Sequence, residues 1–305
     1  MTTPFALVIG ESLVDLIPGP SGLDVHPGGS PMNVAVGLAR LGRPTKLVTW
    51  FGRDAYGQAI EAHLAASGVQ VQSGSDGAAR TSSAEVVFDE AGSANYVFDL
   101  EWRLPPVASQ IAPRVVHAGS LGAVLSPGGP QVLGVALDMR ARGVVVSFDP
   151  NIRPAAMGPV ERVRPVIESF VSVAQVVKAS QEDMEWLYPG RDPLGVAKQW
   201  AGSGPLLVVV TRGDAGALGV SGSAEVAVGP PTGPVVDTVG AGDAFMAGLL
   251  HALWDWLDAP VPLAEAQLRR VLAVASAAAG VDLGRPGADP PWASELIVPL
   301  SRLFV

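Results

Sequence analysis

Short apolar runs alternate with helical periodicities along this chain, and that alternation sets the predicted architecture. Phe5-Ala-Leu-Val-Ile-Gly10 is apolar and ends in glycine, the pattern of a buried strand. Lys46–Phe51, Arg114–Ala118, Gly143–Phe148, Val173–Lys178 and Leu206–Val210 repeat it, the last most strongly. Between them lie helical patterns: Val34, Leu38 and Leu41 closed by Gly42; Ile60, Leu64 and Ala65; Val132, Leu133 and Leu137; and the Ala-rich stretch Leu268–Ala279. Repeated strand–helix units predict an α/β fold with a doubly wound, mostly parallel sheet. Two segments break the rhythm. Residues 16–27 read as a weak hairpin around Pro18–Gly22. Thr81–Leu100 alternates with period two through Ala84, Val86, Phe88 and Asn95–Phe98, across a turn at Glu90-Ala-Gly92. A half-exposed antiparallel hairpin does not fit a strand–helix repeat. Segments of about 12–25 and 81–99 are therefore expected to form a small β-sheet lid on a single domain spanning 1–305.

Composition narrows the function classes. Hydrophobic residues make up 48% of the 305 positions, enough for a large core. No apolar run reaches the ~20 residues a bilayer span needs. The start has no basic stretch and meets an acid at Glu11, so a signal peptide is not expected. Cysteine is absent, which excludes disulfides and thiol chemistry and fits a cytoplasmic location. Net charge is −9, and the lysines are Lys46, Lys178 and Lys198, with no basic cluster. Nucleic acid and anionic membrane are poor partners for such a surface. His26, His63, His117 and His251 are scattered, without the spacing of a structural zinc site. An anionic ligand then needs a local site of backbone amides and a few arginines.

Such a site is written at Val236–Gly248. A Pro- and Gly-punctuated stretch leads into Gly240-Ala-Gly242, then Asp243, then a helical pattern through Leu249, Leu250, Leu253 and Leu257. Two glycines let the chain turn tightly into a helix start whose unpaired amides and dipole favour anions. Asp243 suits a helix cap, and it equally suits a base that takes a proton from a hydroxyl attacking a phosphate. Other polar groups gather at predicted strand ends, where open α/β sheets bind ligands: Glu11, Ser12 and Asp15; Asp149-Pro-Asn-Ile-Arg153; Ser180-Gln-Glu-Asp183; and Thr211–Gly216. In His26-Pro-Gly-Gly-Ser-Pro-Met-Asn33, Ser30 and Pro31 suit the N-cap and first helical positions. Asn33 either caps that helix or meets a ligand hydroxyl. An Asx turn accounts for Asp149 but leaves Arg153 without a task. Small residues in 268–279 suit either close helix packing or a flat ligand.

Two of these segments together resemble the ribokinase-like carbohydrate kinases, the phosphofructokinase-B superfamily. One is Gly-Gly-Ser-Pro-Met-Asn-Val-Ala with its trailing Leu-Ala-Arg-Leu-Gly; the other is Asp-Thr-Val-Gly-Ala-Gly-Asp-Ala-Phe-Met-Ala-Gly. Their order, their separation and the intervening hairpin extend the likeness from Gly10 to Arg285-Pro-Gly287, with fructokinases most similar and 2-keto-3-deoxygluconate kinases next. The resemblance implies a ribokinase-like fold and ATP-dependent phosphorylation of a sugar's primary hydroxyl, with fructose ahead of the keto-acid sugar. It implies Asp243 as the catalytic base and the amides of Gly240, Ala241 and Gly242 as the anion hole. Asp15, Gly28, Gly29, Asn33 and Arg153 are implied as sugar binders. Lys178, Ser180, Thr211, Gly213 and Gly216 are implied on the nucleotide side, with adenine near Ala275 and Ala279. Asp237 lies where a monovalent cation such as K⁺ is held. Mg²⁺ is tied in the family to Asn-x-x-Glu, and Ser180-x-x-Asp183 departs from that pattern, which leaves Glu182 as a substitute. A homodimer through the lid is the implied assembly.

Rival readings fare worse on the residues. A dinucleotide GxGxxG fails at Phe245, and no GxxxxGK[ST] loop exists for a Walker-type NTPase. A catalytically silent sugar-binding module has no use for Asp243.

Overall fold

The computed structural model describes residues 3–19, 22–88, 94–108 and 110–296. Its strands are β1 (Ala6–Ile9), β2 (Leu13–Gly19), β3 (Gly22–Gly28), β4 (Thr45–Val48), β5 (Gln70–Val71), β6 (Ser83–Phe88), β7 (Ala94–Asp99), β8 (Val115–Gly119), β9 (Val145–Asp149), β10 (Val176–Ser180), β11 (Leu207–Thr211), β12 (Ala217–Ser221) and β13 (Ala224–Val228). Its helices are α1 (Ser30–Arg40), α2 (Ala55–Ala66), α3 (Ser120–Val124), α4 (Gly128–Ala141), α5 (Pro154–Met157), α6 (Val160–Val173), α7 (Gln181–Leu187), α8 (Pro193–Ala201), α9 (Ala241–Ala252) and α10 (Glu265–Leu283).

The large sheet has nine strands in the order β13-β12-β11-β10-β9-β8-β1-β4-β5. It is parallel from β5 to β11, and β12 and β13 extend it antiparallel. The parallel strands are nearly continuous Val, Ala and Leu because helices cover both faces. On one face α1, α9 and α10 bury Val8, Val115, Val145, Val176 and Val209. On the other, the cluster containing Val132, Ile167, Phe170 and Val196 covers Leu7, Val116, Val146 and Val208. The second sheet has four strands in the order β3-β2-β6-β7, with β2 and β6 parallel and each outer pair antiparallel. Both expected hairpins are therefore strands of one small sheet. The turn at Glu90-Ala-Gly92 lies outside the described residues.

Two local expectations need correcting. Ser30 is not the N-cap of α1: Gly29 holds that position with φ 112°, and Ser30 is already helical. A residue other than glycine is strained at that φ, so the cap moves back one position and the Ser30 hydroxyl is released. The strand expected over Val173–Lys178 begins at Val176, because Val173 closes α6. The hairpin β12–β13 has no counterpart in the sequence reading.

Candidate functional site

The parallel strands deliver their last residues to one edge of the large sheet: Ile9, Gly119, Asp149, Ser180 and Thr211. Two helix starts meet there. Gly240 precedes α9 in the left-handed conformation, φ 84°, with no side-chain cap. The first-turn amides of α9 therefore have no partner inside the helix and stand at its positive end. The first turn of α1 lies against them.

Asp243 sits where these helices touch. Ser30 Oγ donates to its Oδ1 at 2.7 Å, and Asn33 Nδ2 donates to its Oδ2 at 2.9 Å. The side chain is buried. Burial raises its pKa above the ordinary aspartate range, while the Ser30 and Asn33 donors and then Lys178 and Arg153 work in the opposite direction. Both oxygens are oriented by side chains of another helix, so the carboxylate is fixed in place with lone pairs left to accept a further proton.

Asp15 faces this region from the small sheet. Cross-strand register aligns it with His26 on β3 and Ala84 on β6, and Ala84 in turn with Phe98 on β7. Residues directly opposite share a face, so His26, Asp15, Ala84 and Phe98 form one row. The Asp15 carboxylate occupies the space a Cβ on Gly28 would need, so a larger residue there would displace it. Burial pushes the Asp15 pKa up to about 6, against the charges of His26 and Arg153. Arg153 is exposed and acts electrostatically on both Asp15 and Asp243.

Beneath the α9 start lies a buried ion pair. Lys178 Nζ stands 2.8 Å from Asp149 Oδ2 and donates to the Gly242 carbonyl at 3.2 Å. Burial works against the Lys178 charge, but Asp149, followed by Asp243 and Asp183, holds its pKa above the ordinary lysine range. Burial pushes Asp149 up to about 6, against the pull of Lys178. Lys178, only 3% exposed, is engaged by Asp149 and the α9 backbone and braces the α9 start. Asp183 is committed as well. Its Oδ2 accepts from Ser180 N at 2.8 Å, and its own amide donates to Ser180 Oγ at 3.0 Å, a reciprocal capping box on α7. Its Oδ1 accepts from Ile152 N at 2.7 Å, tying α7 to the loop that carries Arg153. Glu182 is exposed at the same edge.

The remaining candidates divide. Thr211 ends β11 beside Ser180, and Gly213 and Gly216 bracket a short 3-10 turn at that edge. Asp237 accepts from Val239 N at 3.0 Å and from Gly287 N at 2.8 Å, and those amides hold its pKa below the ordinary range. Ala275 and Ala279 both pack in the core under α9, 0% and 5% exposed. The partly exposed side of α10 is Ser276, Ala277 and Gly280, and Gly280 lies under Pro231. Reading α10 as small throughout hid which small residues face outward. The sequence reading also missed Ser30, Phe98 and the bracing role of Lys178. The alternation of β7 carried the signal for Phe98, and Gly28-Gly29 before Ser30 carried the signal for a cap one residue earlier.

Known proteins resemble this chain along nearly its whole length. Residues 4–295 match the pfkB family carbohydrate kinase. A fructokinase of Klebsiella pneumoniae is 35% identical over 287 residues, 87% of this chain and 92% of that protein. A crystal structure of fructokinase with bound ATP from Xylella fastidiosa superposes with a TM-score of 0.81 at 25% identity, covering 100% of both chains. A fructokinase double mutant from Vibrio cholerae O395, in its fructose, ADP and potassium ion bound form, superposes with a TM-score of 0.82 at 26% identity, covering 99% of this chain and 98% of that one.

Proposed function

Since the chain belongs to the pfkB family of carbohydrate kinases, we propose that it is a fructokinase with Asp243 as its base. The observation that carries this reading is the buried Asp243 carboxylate, gripped by Ser30 and Asn33 at the amide-rich start of α9. The fructokinase relatives support fructose as the acceptor, and so does the array of Asp15, Asn33 and Arg153, which suits a polyhydroxylated substrate.

The reaction proceeds by in-line attack. A primary hydroxyl of fructose, hydrogen-bonded to Asp243, gives its proton to that carboxylate as its oxygen bonds to the γ-phosphorus of ATP. The bond to the β,γ-bridging oxygen breaks, and ADP leaves. The amides of Gly240, Ala241 and Gly242 receive the charge on the transferring group, and Arg153 adds a positive field. Lys178 holds the Gly242 peptide in position and neutralises Asp149 beneath it. Thr211, Gly213 and Gly216 face the nucleotide, and Asp15 holds sugar hydroxyls.

Among the described residues, no three His, Cys, Asp or Glu side chains converge as a metal cage. Mg²⁺ would be held by nucleotide phosphates, with Glu182 or Asp183 contributing through its water shell, and would supply charge neutralisation. Asp237 fits a monovalent cation through its placement beside the α9 start. The small sheet serves as a lid over the sugar. Its exposed Ile17, Leu23, Val25 and Val97 support a homodimer through that sheet, which sedimentation analysis tests.

The deciding experiment is an ADP-release assay over sugars, sugar acids and nucleosides. Fructose is expected to give the highest kcat/KM. A ranking led by 2-keto-3-deoxygluconate, whose carboxylate Arg153 would pair, would replace fructose but keep the kinase. Absence of turnover with every acceptor would leave a silent sugar-binding module.

A further inference from the structure

Asp282 lies on the buried stripe of α10, in line with Leu268, Leu272, Ala275 and Ala279. An acid in that stripe has no packing purpose, and it is fully buried, 0% exposed. Its Oδ1 accepts from the Asp289 amide at 2.9 Å. Its Oδ2 has no hydrogen-bond partner. That oxygen lies 3.3 Å from where a Cβ on Gly240 would stand. The unpartnered atom therefore lies, beside Ala288, next to the residue that opens the anion cradle of α9.

The charges around it do not neutralise it. From α9 the facing group is Asp243, of like sign. From the turn after α10 they are Asp289, of like sign, and Arg285. The Arg285 guanidinium is engaged by Asp289 and Glu295, and Arg40 of α1 by Asp289. Asp237, before α9, directs its oxygens to the amides of Val239 and Gly287, and the monovalent cation proposed for it is held at one fixed concentration in the test below. Among the described residues no salt bridge reaches Asp282. A buried carboxylate without a counter-charge disfavours its ionised form.

We propose that Asp282 is a proton-gated positioning residue for phosphoryl transfer: neutral, it leaves the Gly240–Gly242 amides free to receive the phosphoryl group, and ionised, it sets an opposing negative charge behind them. The inference rests on the kinase reading above. Burial first, then the nearby carboxylates, pushes the Asp282 pKa up to about 7, against the Asp289 amide and Arg285, which places the gate near neutrality. The gate acts on the bound anion through Gly240 and takes no part in the proton transfer at Asp243.

The test is the pH dependence of kcat/KM for ATP, from about pH 6 to about pH 9, in wild type and Asp282→Asn. The Asn side chain still accepts from the Asp289 amide but cannot ionise. Ionisation of ATP and its binding of Mg²⁺ are common to both proteins, so the difference between their profiles isolates Asp282. Wild type is expected to decline on the alkaline side toward a lower plateau, a step that Asp282→Asn lacks. The same alkaline decline in both proteins, or a loss in the variant that is uniform across pH, would overturn the gate. Should the variant not fold, calorimetry of a non-hydrolysable ATP analogue binding to wild type near pH 8, in buffers of different ionisation enthalpy, decides the matter: net proton uptake supports the gate and zero uptake overturns it. Absence of ATP turnover at every pH would instead bring down the kinase reading, and the gate with it.

Discussion

The Ser30 hydroxyl donates to Asp243 Oδ1 at 2.7 Å, joining residues 213 positions apart. That bond stabilises the ionised carboxylate, so its removal favours the protonated acid and takes active base away first at low pH. Ser30→Ala is expected to move the acid limb of the pH–rate profile to higher pH. A hydrogen bond to a charged group contributes ~1.5–3 kcal/mol, so the limb should move up by about one to two pH units. A pH–rate series on both proteins checks this. A limb that stays put or moves to lower pH would show that Ser30 does not tune Asp243.

Lys178 and Asp149 form an ion pair with side chains 4% and 1% exposed. Breaking one side of such a pair leaves an uncompensated buried charge and costs about 3–5 kcal/mol. Lys178→Met should therefore lower the denaturation midpoint strongly, and Lys178→Met combined with Asp149→Asn should recover much of the loss. Denaturant titrations of the wild type, both single variants and the double variant give the coupling. Additive losses would mean that the two groups do not depend on each other.

Asp183 illustrates how far the sequence could be read. The α/β repeat, the two hairpins and the α9 start were legible because each is encoded locally, in periodicity and in glycine placement. Asp183 was visible only as a shortened Glu in a family pattern. That it receives Ser180 N and Ile152 N is a tertiary fact, because Ile152 belongs to a different strand–loop unit. The Lys178–Asp149 pair was hidden for the same reason: strands β9 and β10 had to be placed side by side first. Ser30 was misassigned because N-cap preference ranks Ser ahead of Gly, whereas the chain's entry angle, with φ 112° at Gly29, overrides that preference.

The same geometry separates a clamp from a metal ligand. Asp183→Asn weakens the acceptor for two amides, so it should lower the melting temperature and raise the KM for sugar through the Arg153 loop. The Mg²⁺ concentration for half-maximal rate should hardly change. Glu182→Gln, at an exposed position, should do the reverse. Mg²⁺ titrations of the two variants decide, and a large Mg²⁺ shift confined to Asp183→Asn would return the metal role to Asp183.

Closure of the small sheet over the sugar has its own observable. His26, Asp15, Ala84 and Phe98 form one row across all four strands, β3, β2, β6 and β7. Saturating fructose should slow amide exchange in residues 13–19, 22–28, 83–88 and 94–99 together. Unchanged exchange in these strands would remove the lid role.

Asp243→Asn distinguishes chemistry from architecture most sharply. The bonds found at the Asp243 carboxylate come from the side chains of Ser30 and Asn33, and α9 carries no side-chain cap. An amide fits that setting, since its oxygen accepts from one partner and the Ser30 oxygen accepts from its NH₂. The stability term has a definite sign. Burial raises the folded-state pKa of Asp243, so the group favours folding below its unfolded pKa, and that contribution is lost as pH rises through the folded value. At neutral pH the carboxylate is therefore a net burden on the fold, and Asn should leave the melting temperature equal or higher. ATP affinity should hold or improve, because a negative charge near the phosphates has gone. The amide cannot take the hydroxyl proton, so kcat should drop by the ~10²–10⁴-fold typical of a lost general base. Measuring kcat, melting temperature and ATP affinity on one preparation separates the outcomes. A variant within about tenfold of wild-type kcat, short of that range, would mean that the proton leaves by another route and that Asp243 only braces α1 against α9.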